Sequence, residues 1–141
     1  MRPEEFLNQP YNLYRKIKVK EQKAIYYREL SMTVSSPEFE EHYSATKNLD
    51  APFVRYIHKA EELEQEIKAD YVRLALLKEE VDRAIDEQIQ DETEAMVLRY
   101  RYVMLMSIRQ IAIKMSYTKR WVQLIHAKAV TRFETFRINS Q

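Results

Sequence analysis

The chain has 141 residues, 45% of them hydrophobic, with 23 basic and 22 acidic side chains, which suits one domain or two small units around a modest core. It has no glycine, which removes the phosphate-cradling loops of P-loop and dinucleotide-binding enzymes and the strained elbow that presents a hydrolase serine. It has no cysteine either, which removes disulfides, a thiolate nucleophile and Cys-based zinc sites, and leaves the redox compartment open.

No stretch alternates with the two-residue period of a half-buried strand, so the expected class is all-α. Pro3 suits the first turn of a short helix reaching Leu7. The opening residues through Leu13 hold Arg2, Glu4, Glu5 and two prolines, unlike a secretory leader. No apolar run is long enough to span a bilayer, and the expectation is a cytoplasmic protein with no membrane partner. Pro10 ends or kinks the first helix, and a longer one follows from about Tyr11 to Met32, with Leu13, Ile17, Ala24, Tyr27 and Leu30 as its apolar face. Thr33 to Ser36 breaks it. Ser36 and Pro37 cap and open a short helix reaching about Tyr43, and Ser44 to Asn48 is a polar connection.

Asp50 and Pro52 then start the longest helix, which runs to about Gln90 and measures about 60 Å at 1.5 Å per residue. Its apolar positions Leu63, Ile67, Tyr71, Leu74, Leu77, Val81, Ile85 and Ile89 step by three or four, the seam of a coiled coil or helical hairpin. The favoured partner is the Tyr11–Met32 helix folded back antiparallel. A homo-oligomer through the N-terminal helices is the alternative. Asp70 occupies one seam position and weakens any register that buries it.

Asp91 with Glu94, and Ser107 with Gln110, fit the pattern in which a cap side chain and the residue three later satisfy the free amides of a starting helix. With Thr118 as a third cap, helices are expected at Glu92–Met104, Ile108–Met115 and Lys119–Phe133, a tri-helical bundle with a frayed tail from Ile138. Residues 1–90 would then be a helical hairpin or coiled-coil domain and 91–137 a second domain. Ile111, Met115, Val122 and Ile125 lie at the spacing that lets two short helices bury one shared face, and Ala112 suits a close crossing.

Charge divides the chain the same way. Arg99 to Gln141 carries nine basic residues against Glu134 alone, whereas Val54 to Leu98 carries six against thirteen acidic ones. The last helix turns Val122, Ile125 and Ala129 inward and Lys119, Arg120, Gln123, Leu124, Ala127 and Thr131 outward or to the flank. Arg can donate two bonds to guanine, Gln can pair with adenine, and Leu124 or Ala127 can touch a thymine methyl. Arg99, Arg101, Arg109, Lys114, Thr118, Lys128 and Arg132 would meet phosphates of double-stranded DNA without sequence preference.

The segment Ser107 to Phe133 resembles the helix-turn-helix of region 4 of bacterial primary sigma factors, including the turn Ser116-Tyr117-Thr118 and the run Ile125 to Ala129. More broadly the chain resembles small phage-encoded, ArpU-like regulators of Gram-positive bacteria, matched at Leu98-Arg99-Tyr100, Met115, Tyr117, Val122 and His126. These resemblances imply a sigma-like C-terminal module joined to an N-terminal coiled coil, activation of late genes, and base reading by Lys119, Arg120, Gln123 and Leu124. Arg120 replaces the usual Glu and Leu124 the usual Gln, which argues for a different promoter element. Ser116 stands where the family's turn has Gly, at a modest strain cost. Two rival readings are a DNA-recognition protein of phage packaging, like a small terminase subunit, and a sigma-like adaptor held to RNA polymerase by protein contacts.

Other residues point away from enzymes. His42, His58 and His126 share no helical spacing, so no metal and no cofactor is expected, and no nucleophile with a base stands in a recognisable frame. Trp121 is expected to pack on the bundle more than on DNA. Tyr100, Tyr102 and Tyr117 are expected to fill the bundle with hydroxyls at its edge.

Overall fold

The computed structural model of the chain describes residues 1–34 and 52–140, with side chains through Thr33 and from Pro52 to Phe133. The expected helix Pro37–Tyr43, the connection Ser44–Asn48, the Asp50 cap and His42 lie outside the described residues. Within the described residues the chain is all-α: α1 (Pro3–Leu7), α2 (Gln9–Val34), α3 (Pro52–Gln88), α4 (Glu92–Leu98), a π-helical turn (Arg99–Val103), α5 (Ile108–Met115) and α6 (Lys119–Ser140). No helix among them is long and apolar enough to cross a membrane.

The start of α2 and the end of α6 differ from expectation. Pro10 lies within the first turn of α2, where its missing N–H forfeits no helical bond, so that helix starts at Gln9. At the other end α6 continues past Phe133 to Ser140. Ala129 and Phe133 are wholly buried, and a helix anchored by tertiary packing outlasts its intrinsic propensity.

The chain forms two compact units, residues 15–72 and residues 1–14 with 73–141. In the first, α2 and α3 run antiparallel around Ile17, Ala24 and Ala60. Tyr27 stacks on Tyr56 with ring centroids 6.1 Å apart, and Arg28 forks both oxygens of Glu64 at 3.0 Å. Asp70 is 7% exposed on the seam, yet it is not stranded there. Its Oδ2 accepts from Lys20 Nζ at 2.7 Å, and Glu66 lies 3.4 Å from the same ammonium. That bond to Asp70 holds the Lys20 ammonium above its ordinary value. The register therefore buries Asp70 by supplying its counter-charge. Tyr71, expected on the seam, sits at its exposed edge, where its hydroxyl donates to Glu21.

In the second unit α1 and the end of α3 pack with the C-terminal helices. Phe6, Leu7, Val81, Ile85, Leu98 and Phe133 share one apolar cluster, and the Phe6 and Phe133 rings stack. Division by packing thus falls elsewhere than residue 90. The apolar side chains of α1 and of Val81 to Ile89 find their partners on α4 and α6 rather than within a separate N-terminal body.

Candidate nucleic-acid interface

A second apolar cluster sets α5 against α6. Ser107 opens α5: its Oγ accepts from the Gln110 amide at 3.1 Å, and Gln110 Oε1 accepts from the Ser107 amide at 2.9 Å. Ser116 closes it in the left-handed region, φ 59° and ψ 38°, while the Tyr117 amide donates to Ala112 O at 2.9 Å. This is the six-to-one bond of a left-handed helix end, made here on a serine in the place that glycine serves best. Thr118 Oγ1 accepts from the Trp121 amide at 3.1 Å and starts α6. So short a turn holds the two helices together over Ile111, Ala112, Val122 and Ile125, all buried, with Met115 packed at the edge.

Burying that face turns another outward. Lys119, Arg120, Gln123, Leu124 and Ala127 are all exposed on α6, as are Arg109, Lys114, Thr118 and Lys128 around it. Three of the cations assigned to phosphate are engaged within the chain. Arg99 pairs with Asp82 at 3.0 Å and also with Asp86. Arg101 Nη1 donates to Met106 O at 3.1 Å, and its guanidinium lies over the Tyr11 ring. Arg132 Nε meets Glu94 Oε1 at 3.2 Å. Their partners lie far away in sequence or on the backbone, so helical spacing and charge counting could not foresee them.

The expected continuous helix Glu92–Met104 is instead interrupted. After Leu98 the backbone widens into the π-helical turn, with the Met104 amide donating to Arg99 O at 2.9 Å, and Leu105 then takes φ 57°. A left-handed leucine is strained, and the Arg101 bond to Met106 O straddles it. Nothing in Arg99-Tyr100-Arg101-Tyr102-Val103 announces this turn.

Tyr102 fills the bundle, 4% exposed, and its hydroxyl lies 2.7 Å from Nε2 of the half-buried His126. Burial pushes the Tyr102 phenol up to about 12. Burial, helped by Arg101 and opposed by Glu4, lowers the His126 imidazole below its ordinary 6.5. Below that pH the unfolded chain takes up a proton that the folded chain refuses, so the stability held by neutral His126 is complete above about 6.5 and is lost as pH falls. Thermal unfolding midpoints should fall on acidification through this window, and His126→Asn should flatten that part of the profile. An unchanged profile would contradict the role.

Trp121 does not pack into the bundle as expected: it is 51% exposed. It walls a groove of about 400 Å³ between the start of α4 and the flank of α6. Tyr117 shares that wall and Tyr100 is half-buried against the α5–α6 cluster. Among the described residues no group of three or more His, Asp or Glu side chains is placed to hold a metal ion. No protein-family model, curated protein or solved structure matches the chain.

Proposed function

We propose that α5 and α6 form a helix-turn-helix that binds double-stranded DNA, with α6 in the major groove, and that the chain regulates transcription in the manner of the phage-encoded regulators it resembles. What supports this reading is the exposure of Arg120 and Gln123 together on the outward side of α6, opposite the buried Val122 and Ile125. Both are long side chains able to reach base edges, and Lys119, Leu124 and Ala127 extend the same surface. Arg109, Lys114 and Lys128 border it without a carboxylate partner among the described residues, which leaves their charges to phosphate. The antiparallel α2–α3 pair serves oligomerisation or a protein partner such as RNA polymerase.

Titration of duplex DNA at rising salt tests the proposal. Each phosphate neutralised contributes a slope of about −0.9 to log affinity against log salt. Lys128→Ala is expected to weaken all duplexes alike and to flatten that slope by about one contact's worth. Binding that does not change with salt, or a variant that weakens one sequence and not others, would reject the assignment of Lys128 to phosphate.

A further inference from the structure

The α2–α3 unit covers little of its own apolar surface. Among the described residues of 15–72 the buried apolar side chains are Ile17, Ala24 and Ala60, two of the three no larger than a methyl group. Val19, Ile25, Tyr26, Met32, Tyr71 and Val72 are all exposed. Two helices laid side by side hide one stripe each, and a small unit with so thin a core and no disulfide gains what it lacks by association. The uncovered groups have a pattern. Ile25 and Met32, 59% and 73% exposed, are one heptad apart, and each follows a buried residue of the seam, Ala24 or Ser31, so both lie about 100° round α2 from that seam. With Ala24 and Ile67 they line a groove of about 330 Å³ along one side of the pair, where Arg28 and Glu64 also stand. A second stripe at about a right angle to the first is what a helix shows when it has neighbours on two sides, as in a four-helix bundle.

We infer that this face binds the same face of a second copy of the chain, with the two-fold axis running along the groove, so that two α2–α3 pairs close into a four-helix bundle. Arg28 meets Glu64 at 3.0 Å across the antiparallel pair. Three residues back along α2 and three on along α3 are Ile25 and Ile67, which therefore stand at one level. An axis parallel to the helices preserves that level and sets α2 of each copy against α3 of the other, again antiparallel. Both Ile25 and both Ile67 side chains then share one layer, and each Arg28 faces Glu64 of the second copy as well as its own, so opposite charges meet across the contact. A strongly charged partner of another kind is not selected, because Glu21 and Glu64 already have Lys18 and Arg28 beside them. The inference rests on the reading of α2–α3 as an association surface and not on DNA binding.

The full chain, free of DNA, should sediment at equilibrium with the mass of two chains. Ile25→Asp should halve that mass, because a carboxylate in the shared layer would be buried without a donor. Val19→Asp, similarly exposed but about 200° round α2 from Ile17, should leave it unchanged. The chain has no cysteine, so introduced thiols report contact between copies directly. An equimolar mixture of Ile25→Cys and Ile67→Cys chains should oxidise to a disulfide-linked pair of the two variants, and a mixture of Val19→Cys and Val72→Cys chains should not. A monomeric mass would overturn the proposal, whether or not a different protein then binds the chain, and so would a mass of three or more copies, a dimer indifferent to Ile25→Asp, or the absence of the Ile25–Ile67 cross-link. Since no duplex is present, a monomer here would leave the DNA reading standing, and a dimer that ignores DNA would leave this one.

Discussion

Arg120→Ala and Gln123→Ala are each expected to lower affinity for a preferred duplex by about 1–3 kcal/mol, roughly 5- to 150-fold, because each removes a side chain able to make two bonds to one base. Gln123 carries no charge, so its loss should leave binding to unrelated duplex unchanged and narrow the gap between specific and non-specific affinity. Arg120→Ala should narrow that gap too, with a small uniform loss from the missing charge. Both positions are exposed and away from the apolar clusters, so unfolding midpoints should stay within about 0.5 kcal/mol of the parent. Selection of bound fragments from a random duplex pool, followed by competition at fixed salt, reads both effects. Variants that retain the parent's sequence preference would remove the reading helix from the proposal.

Phe133→Ala is expected to cost about 3–5 kcal/mol of folding stability, the range for deleting a buried aromatic side chain. The residue is fully buried in the cluster that joins α6 to α1, and its ring stacks on Phe6 with centroids 6.1 Å apart and planes at 15°. Against a total stability of about 5–15 kcal/mol this is a large fraction, and the midpoint should drop by about 10 °C or more. Leu124→Ala, similar in chemistry but 53% exposed, should change it little. A loss of less than about 1 kcal/mol at Phe133 would mean that α1 contributes nothing to the body it packs against.

Local signals were the legible ones. Asp91, Ser107 and Thr118 each accept a bond from an amide within three residues, so the caps that start α4, α5 and α6 could be read directly from neighbouring letters. The inward set Ile111, Ala112, Val122 and Ile125 followed from helical period because both helices are short and the turn between them leaves few ways to pack. Long-range pairing was not legible in the same way. Phe6 meets Phe133 across most of the chain, and Arg99 reaches carboxylates on α3. These are choices made by tertiary packing among many chemically equivalent partners. The same holds at the candidate interface: exposure of Arg120 and Gln123 was foreseeable from the wheel, whereas the engagement of Arg101 and Arg132 depended on Met106 and Glu94 being close in space. Trp121 was misjudged because a large aromatic is usually covered, and the start of α4 stops short of covering it.

The Lys20–Asp70 pair limits how α2 and α3 can slide along one another. An apolar stripe repeating every three or four residues would tolerate a shift of one heptad, since leucine and isoleucine fit each other's places. With Lys20 opposite Asp70, such a shift would bring Asp70 to Leu13 or Tyr27 instead and away from the Lys20 ammonium. The Lys20 side chain is 31% exposed and that of Asp70 10%, so parting them costs less than the about 3–5 kcal/mol of a fully buried pair, yet it disfavours the shifted setting. A single ion pair thus works as a detent, fixing the helices' axial setting where their greasy faces alone would permit several.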